Sequence, residues 1–333
     1  MRILDQPGNA IMRPVVMLVT GAVGCIGSHL TERLLADGFD VRGVDCFTDY
    51  YDEQIKRANI RDSVASTRFE LVEADLAVDE IPPLLEGVDV VFHQAAQPGV
   101  RLSWADGFTA YSERNILATQ RLLDACRSLA LDRFVFASSS SVYGNSDHYP
   151  TTETDLPRPF SPYGVTKLAA EHLCAAYAEN FGLPTVALRY FTVYGPRQRP
   201  DMGFHRLINA GLGGPPFPAY GDGSHVRNFT FVSDVVDANV LAAITADIPP
   251  GEMLNICGGG EVSMRDAYAL VEELVGSPIP REQRPPASGD VNRTGGSYHK
   301  AHEVLGWAPA VDLRQGLAHQ VEWHRHLVGM PAA

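Results

Sequence analysis

The stretch Gly21-Ala22-Val23-Gly24-Cys25-Ile26-Gly27 limits the possible folds more than any other part of the chain. An unbroken apolar run, Val15 to Val19, leads into it, as expected of a strand covered on both faces. A segment with Ile26, Leu30, Leu34 and Leu35 at helical spacing leads out of it. Between a strand and a helix, Gly21 permits a tight turn, Gly24 lets the backbone approach a pyrophosphate, and Gly27 lets the helix pack on the strand. The helix start contributes N–H groups and the positive end of a dipole to the phosphates. A glycine triplet alone also serves ordinary turns, so its setting carries the reading. Asp45 closes a second strand, Val41–Asp45, roughly 20 residues on, where an acid accepts from adenosine ribose hydroxyls. It also repels the extra phosphate of NADP, so the expected cofactor is NAD, against the nearby cations Arg42, Lys56 and Arg57. Asp75 and Leu76 follow a third strand, Phe69–Glu73, and are placed to meet adenine; the alternative for Asp75 is a helix N-cap.

Further strands are expected at Val88–His93, Arg133–Ala137 and Thr185–Arg189, with helices over about 108–130 and 163–181. Strands alternating with helices at this spacing give an α/β fold, a doubly wound parallel sheet of the Rossmann kind. From Pro196 the chain turns rich in Pro, Gly and Arg, which implies a smaller mixed C-terminal substrate lobe. The expected division is a leader at 1–13, a nucleotide domain at 14–195 to which 228–247 returns, and a substrate lobe of 196–227 and 248–330. The site belongs in the cleft, at the carboxyl ends of the strands.

A net charge of −13 argues against nucleic acid or an anionic membrane surface as the partner. The five cysteines are scattered without a CxxC pair, so reduced thiols in a cytoplasmic protein are expected, with no metal site. No apolar run nears the ~18–20 residues of a membrane span.

The buried strand at Arg133–Ala137 breaks into Ser138-Ser139-Ser140-Ser141, and a Pro-rich loop leads to Ser161-Pro162-Tyr163-Gly164-Val165-Thr166-Lys167. A Tyr and a Lys four apart at a helix start share one face. Free tyrosine is a poor base near neutrality, its pKa being about 10. A neighbouring ammonium and a cationic nicotinamide ring both favour the phenolate. A serine hydroxyl at the strand end can share the substrate oxygen and relay its proton.

Together these motifs resemble the extended short-chain dehydrogenase/reductase family, from Val15 to about Val321. The likeness is to its nucleotide-sugar epimerases and, nearest, to UDP-glucuronate 4-epimerases. The resemblance implies Tyr163 as base, Lys167 as its activator, and Ser139 as the third catalytic residue. Through His93-Gln94-Ala95-Ala96 and Leu188-Arg189-Tyr190-Phe191-Thr192 it implies Ala95, Ala96 and Tyr190 at the cofactor, beside Gly21, Gly24, Ile26 and Gly27, and Thr192 at the sugar. It further implies that Arg227 binds the diphosphate, that Asp290 lies near the UDP ribose, and that a homodimer forms through the two long helices. Where the family often has an Arg three residues before that Asp, this chain has Ala287.

Dehydratases of that family carry an Asp-Glu pair after the catalytic residue, to remove a proton from C5. Here those positions are Ser140 and Ser141, which cannot act as acid or base near pH 7. UDP-glucuronate decarboxylases carry Glu at the position of Ser141, so that branch is disfavoured too. The implied reaction is NAD-dependent 4-epimerisation of a UDP-sugar. Hydride leaves C4, the 4-keto sugar rotates, and hydride returns to the other face. Gln97-Pro98-Gly99-Val100-Arg101-Leu102-Ser103-Trp104 and Gly195-Pro196-Arg197-Gln198-Arg199-Pro200-Asp201 resemble the UDP-glucuronate branch, giving UDP-galacturonate. The alternatives are UDP-glucose/galactose epimerisation and UDP-glucuronate decarboxylation. A C6 carboxylate calls for a guanidinium fork. Arg199 is the first candidate, then Arg101 and Arg197, with Ser140 and Ser141 adding hydrogen bonds. Phe217 and Tyr220 are candidates for the uracil platform.

Overall fold

The structure, a computed structural model, describes residues 15–285 and 288–329. The expected leader and Ala287 lie outside the described residues. Strands and helices alternate as β1 (Val16–Thr20), α1 (Cys25–Ala36), β2 (Asp40–Asp45), α2 (Glu53–Asn59), α3 (Arg61–Val64), β3 (Phe69–Glu73), β4 (Val88–His93), α4 (Phe108–Tyr111), α5 (Ala118–Cys126), β5 (Arg133–Ser139), α6 (Pro162–Phe181) and β6 (Thr185–Tyr190). Then come β7 (Val193–Tyr194), α7 (Gly203–Gly211), β8 (Phe217–Tyr220), β9 (Val226–Asn228), β10 (Thr230–Phe231), α8 (Val232–Ile244), β11 (Glu252–Ile256), β12 (Glu261–Ser263), α9 (Met264–Val275), β13 (Arg281–Arg284), α10 (His299–Leu305) and α11 (Leu313–Leu327).

Seven strands form one sheet in the order β11-β6-β5-β4-β1-β2-β3, and every neighbouring pair is parallel. The chain winds outward from β1 to β3, then returns to place β4 on the other side of β1. That reversal opens a crevice above the carboxyl ends of β1 and β4, where such sheets bind ligands. β4 and β5 are buried along their whole length, because helices cover both faces. Leu30 and Leu34 of α1, Val235 to Ala243 of α8, and Ala301 and Leu305 of α10 pack on one face. Leu122 and Leu123 of α5 and Ala170 and Cys174 of α6 pack on the other. α7, α9, α11 and β8 enclose a smaller core around Leu207, Ile208, Val271 and Leu317.

The structure corrects three expectations. Residues 252–256, assigned to the substrate lobe, form β11, the edge strand of the main sheet beside β6. Asn255 interrupts the apolar run that would have revealed this strand. It is tolerated at 0 % exposure because it donates to the Thr151 carbonyl and accepts from the Tyr143 hydroxyl. The helix expected over 108–130 ends at Cys126 and is π-helical from Ser112 to Leu117. Phe217 is 6 % exposed and packs edge-on against Tyr268 in the smaller core, so it offers no face to a uracil.

Candidate active site

A cavity of about 440 Å³ opens at the strand ends. Gly21, Asp45, Ala74, Gln94, Ser139 and Tyr190 line it, one from the carboxyl end of each of β1 to β6. Every residue expected at the cofactor lies on its wall: Gly21, Gly24, Ile26, Gly27, Asp45, Asp75, Leu76, Ala95, Ala96, Tyr163, Lys167 and Tyr190.

The glycine turn is built by close approach. Gly21 has φ +68°, and a Cβ there would lie 2.8 Å from the Ala95 nitrogen. A Cβ on Gly27 would run into the Gly21 carbonyl oxygen. α1 follows Gly24, its N-cap, with no side-chain cap and no acidic residue in its first turn. Its first N–H groups therefore face the cavity mouth without an internal acceptor, which fits the phosphates of a dinucleotide. Burial raises the pKa of Asp45, and the Lys56 ammonium opposes that shift. Of the three cations that would favour NADP, Lys56 lines the cavity and donates to the Thr48 carbonyl, whereas the other two point elsewhere. Arg42 binds Glu70 and the carbonyls of Leu84 and Glu86. Arg57 pairs with Glu53 and Glu73 and stacks on Phe47. Asp75 lines the cavity and also accepts from the Ala77 N–H, so it serves as a turn cap at the same time.

A chain of hydrogen bonds runs from the glycine turn to the middle helix. Thr119 donates to the Asn115 carbonyl (2.7 Å), so its oxygen accepts from His93 Nε2 (2.9 Å). His93 Nδ1 then accepts from the Thr20 hydroxyl (2.8 Å), whose oxygen takes the Ala95 N–H. Burial holds the imidazole neutral, with its pKa down at about 3. Asn115, on the π-helical turn, accepts from the Gln97 N–H and donates to the Gln97 carbonyl and the Thr166 hydroxyl. It thereby ties the loop after β4 to the first turn of α6.

That first turn carries Tyr163. Ser161 caps α6 by accepting from the Gly164 N–H, and Pro162 occupies the first position. A Cβ on Gly164 would lie 2.5 Å from the Ser141 carbonyl, so this glycine lets the helix start press against the serine turn. Ser139 Oγ accepts from the Ser141 N–H at 3.1 Å. Burial raises the Tyr163 pKa, while a hydrogen bond with Ser139 and the charge of Arg199 draw it down. Lys167 is 4 % exposed and donates to the Ala137 carbonyl at 2.8 Å. Burial brings its pKa down to about 8. The charge of Arg199 reaches Tyr163, and Lys167 stands one turn further along α6, with its ammonium at the end of β5.

Among the residues expected at the substrate, Ser140, Ser141, Thr192 and Arg199 line the same cavity. Arg101, Tyr220, Arg227 and Asp290 are not on its wall; they belong to a cluster that begins one residue beyond Val100, which is. Arg101 pairs with Asp290 at 2.8 Å and lies 3.9 Å over the Tyr220 ring. Burial lowers the Arg227 pKa, and the charge of the Asp290 carboxylate opposes that shift. Arg197 turns away to Glu32 and Ser28 of α1. The sequence reading gave no role to Tyr111, which shares its hydroxyl proton between the Pro98 and Gly99 carbonyls and sets its ring edge against Tyr163. It also missed Tyr50, which reaches Asp201 across the cavity. Neither contact has a spacing signal, since both join distant segments.

Fold and site define a dinucleotide-dependent enzyme, with Ser139, Tyr163 and Lys167 together on the wall of one cavity. The chain belongs to the NAD dependent epimerase/dehydratase family, which it matches over residues 17–257. A Bacillus subtilis (strain 168) protein named as an uncharacterized UDP-glucose epimerase, YtcB, is 43 % identical over 92 % of this chain and 97 % of its own. The UDP-glucuronic acid 4-epimerase of Bacillus cereus, solved with UDP-glucuronic acid and NAD, is 41 % identical, with a TM-score of 0.91 over 94 % of this chain and 100 % of that one. MoeE5, solved with UDP-glucuronic acid and NAD, is 44 % identical, with a TM-score of 0.85 over 93 % and 99 % of the two chains.

Proposed function

We propose that this chain is a cytoplasmic, NAD-dependent UDP-sugar 4-epimerase that interconverts UDP-glucuronate and UDP-galacturonate. The observation that carries this is the serine turn. Ser139, Ser140 and Ser141 share the cavity wall with Tyr163 and Arg199. A hydroxyl relay and a guanidinium therefore stand together with no acid on that turn to deprotonate C5. Ser139 and Tyr163 take the proton from the C4 hydroxyl and later return it. NAD, when bound, supplies the acceptor and donor of the C4 hydride. Lys167 holds the relay from beneath, and its lowered pKa lets it exchange a proton near pH 8. Asp45, with Arg42 and Arg57 engaged elsewhere, supports NAD over NADP. Tyr220, Arg227 and Asp290 are proposed for the uridine diphosphate, and Thr192 for the sugar.

Incubation with UDP-glucuronate, with products separated by chromatography, tests the reading. UDP-galacturonate supports it, whereas a UDP-pentose identifies a decarboxylase. Turnover of UDP-glucose alone identifies a neutral-sugar epimerase, the reading supported by the Arg199–Asp201 pairing. Arg199→Ala should weaken the acid substrate far more than a neutral one; equal losses would remove Arg199 as the carboxylate partner.

A homodimer through α4–α5 and α6 is part of the same proposal. Exposed Trp104, Phe108, Phe160 and Val165 support it, because they line one apolar groove at the start of those helices. Light scattering of the purified protein tests it; a monomeric mass would refute it.

A further inference from the structure

Every arginine nominated for a substrate carboxylate already holds an acid of this chain. Arg101 holds Asp290, Arg197 holds Glu32, and Arg199 holds Asp201. Of the three, only Arg199 lines the cavity with Tyr163 and the serine turn. Its Nε and Nη2 donate to Asp201 Oδ1 and Oδ2, both at 2.9 Å, in a bidentate fork. Nη2 also donates to Met202 Sδ at 3.4 Å. The Tyr50 hydroxyl donates to Asp201 Oδ2 at 3.2 Å, and its ring lies 5.5 Å beneath the guanidinium. Arg199 is therefore fixed from two sides. Nη1 takes no part in the bonds to Asp201 and Met202.

We propose that Asp201 is a specificity-determining residue of this site, competing with the substrate's own carboxylate for Arg199. The proposal rests on reading the cavity as a UDP-sugar 4-epimerase site. With Asp201 in place, the guanidinium offers a C6 carboxylate one N–H edge instead of a fork. The pair's charges also cancel, so the pocket attracts an anion only weakly. A neutral hexose whose C6 carries a hydroxyl loses little by comparison, because one donor on Nη1 satisfies it. Asp201 thus narrows the difference between acid and neutral substrates and keeps the site open to both.

The test uses the full chain saturated with NAD at pH 7. Titration calorimetry gives the Kd of UDP-glucuronate and of UDP-glucose for the unaltered protein, Asp201→Asn and Asp201→Ala. Freeing the fork and its charge should raise the preference for the acid about tenfold in both variants, the equivalent of about 1.4 kcal/mol. An unchanged preference overturns the proposal. So does a reduced one, which would make Asp201 a support for Arg199, and so does a rise in Asp201→Ala alone, which would mean added space. Turnover is scored separately. A shift in preference without C4 epimerisation of either sugar refutes the epimerase reading and leaves Asp201 as the selector. Epimerisation without the shift does the reverse, and failure to bind either sugar refutes both.

Discussion

Removing the carboxylate of Glu171 should cost this protein more stability than any exposed charge change. Glu171 lies one turn after Lys167 on α6, and Arg189 sits on β6. They form a fork, Nε to Oε2 at 3.0 Å and Nη2 to Oε1 at 2.5 Å, with side chains 2 % and 1 % exposed for Arg189 and Glu171. Ser138 donates to the same carboxylate at 2.6 Å. Arg189 also donates to the Tyr143 hydroxyl at 2.7 Å, and Tyr143 donates to Asn255. Glu171→Ala leaves a guanidinium with no counter-charge in a nearly water-free site. Removing one partner of such a pair costs about 3–5 kcal/mol. At about 2.1 cal/mol/K of unfolding entropy per residue, that is a fall of about 4–7 °C in Tm for a chain of this length. Scanning calorimetry with NAD held at the same saturating concentration measures it, since ligand binding shifts Tm by itself. The paired change Glu171→Leu with Arg189→Met should be milder than Glu171→Ala, because apolar replacement of both partners removes the orphaned charge. A loss under about 1 kcal/mol in the single variant, or a paired variant worse than the single, would refute the reasoning.

Tyr163→Phe should lower kcat by roughly 10²–10⁴-fold while the protein still binds NAD, as followed by fluorescence; retained activity would exclude Tyr163 as the proton-transfer group. Gly27→Ala should lower both NAD content and Tm, by about 1–3 kcal/mol of overpacking, because its Cβ has no room beneath the Gly21 carbonyl. Burial depresses His93 to about 3 and His324 to about 4, so the unfolded chain binds more protons than the folded one below its ordinary value of about 6.5. Stability should therefore fall as pH drops from about 6.5 towards 4, by on the order of 2 kcal/mol for each ring at pH 5. Urea unfolding at pH 7 and pH 5 checks this, and a flat profile would contradict it.

The sequence by itself determined whatever depends on neighbours in the chain. GxxGxxG between a strand and a helix dictates a turn without side chains, whatever packs above it. Tyr163 and Lys167 share a helix face because the spacing of four is set by backbone geometry. The serine run is legible because what it lacks, an acid, needs no coordinates to see. Tertiary structure decided the rest. The sequence ranks Arg199 ahead of Arg101 and Arg197, but only the fold gave each its acid. Phe217 could have faced solvent or core, and a two-residue period does not say which. The strand at 252–256 was hidden by Asn255, whose polarity is satisfied only by Thr151 and Tyr143 from distant segments. Local periodicity reports backbone shape, whereas pairing of charges and burial of rings are properties of contacts that the chain acquires on folding.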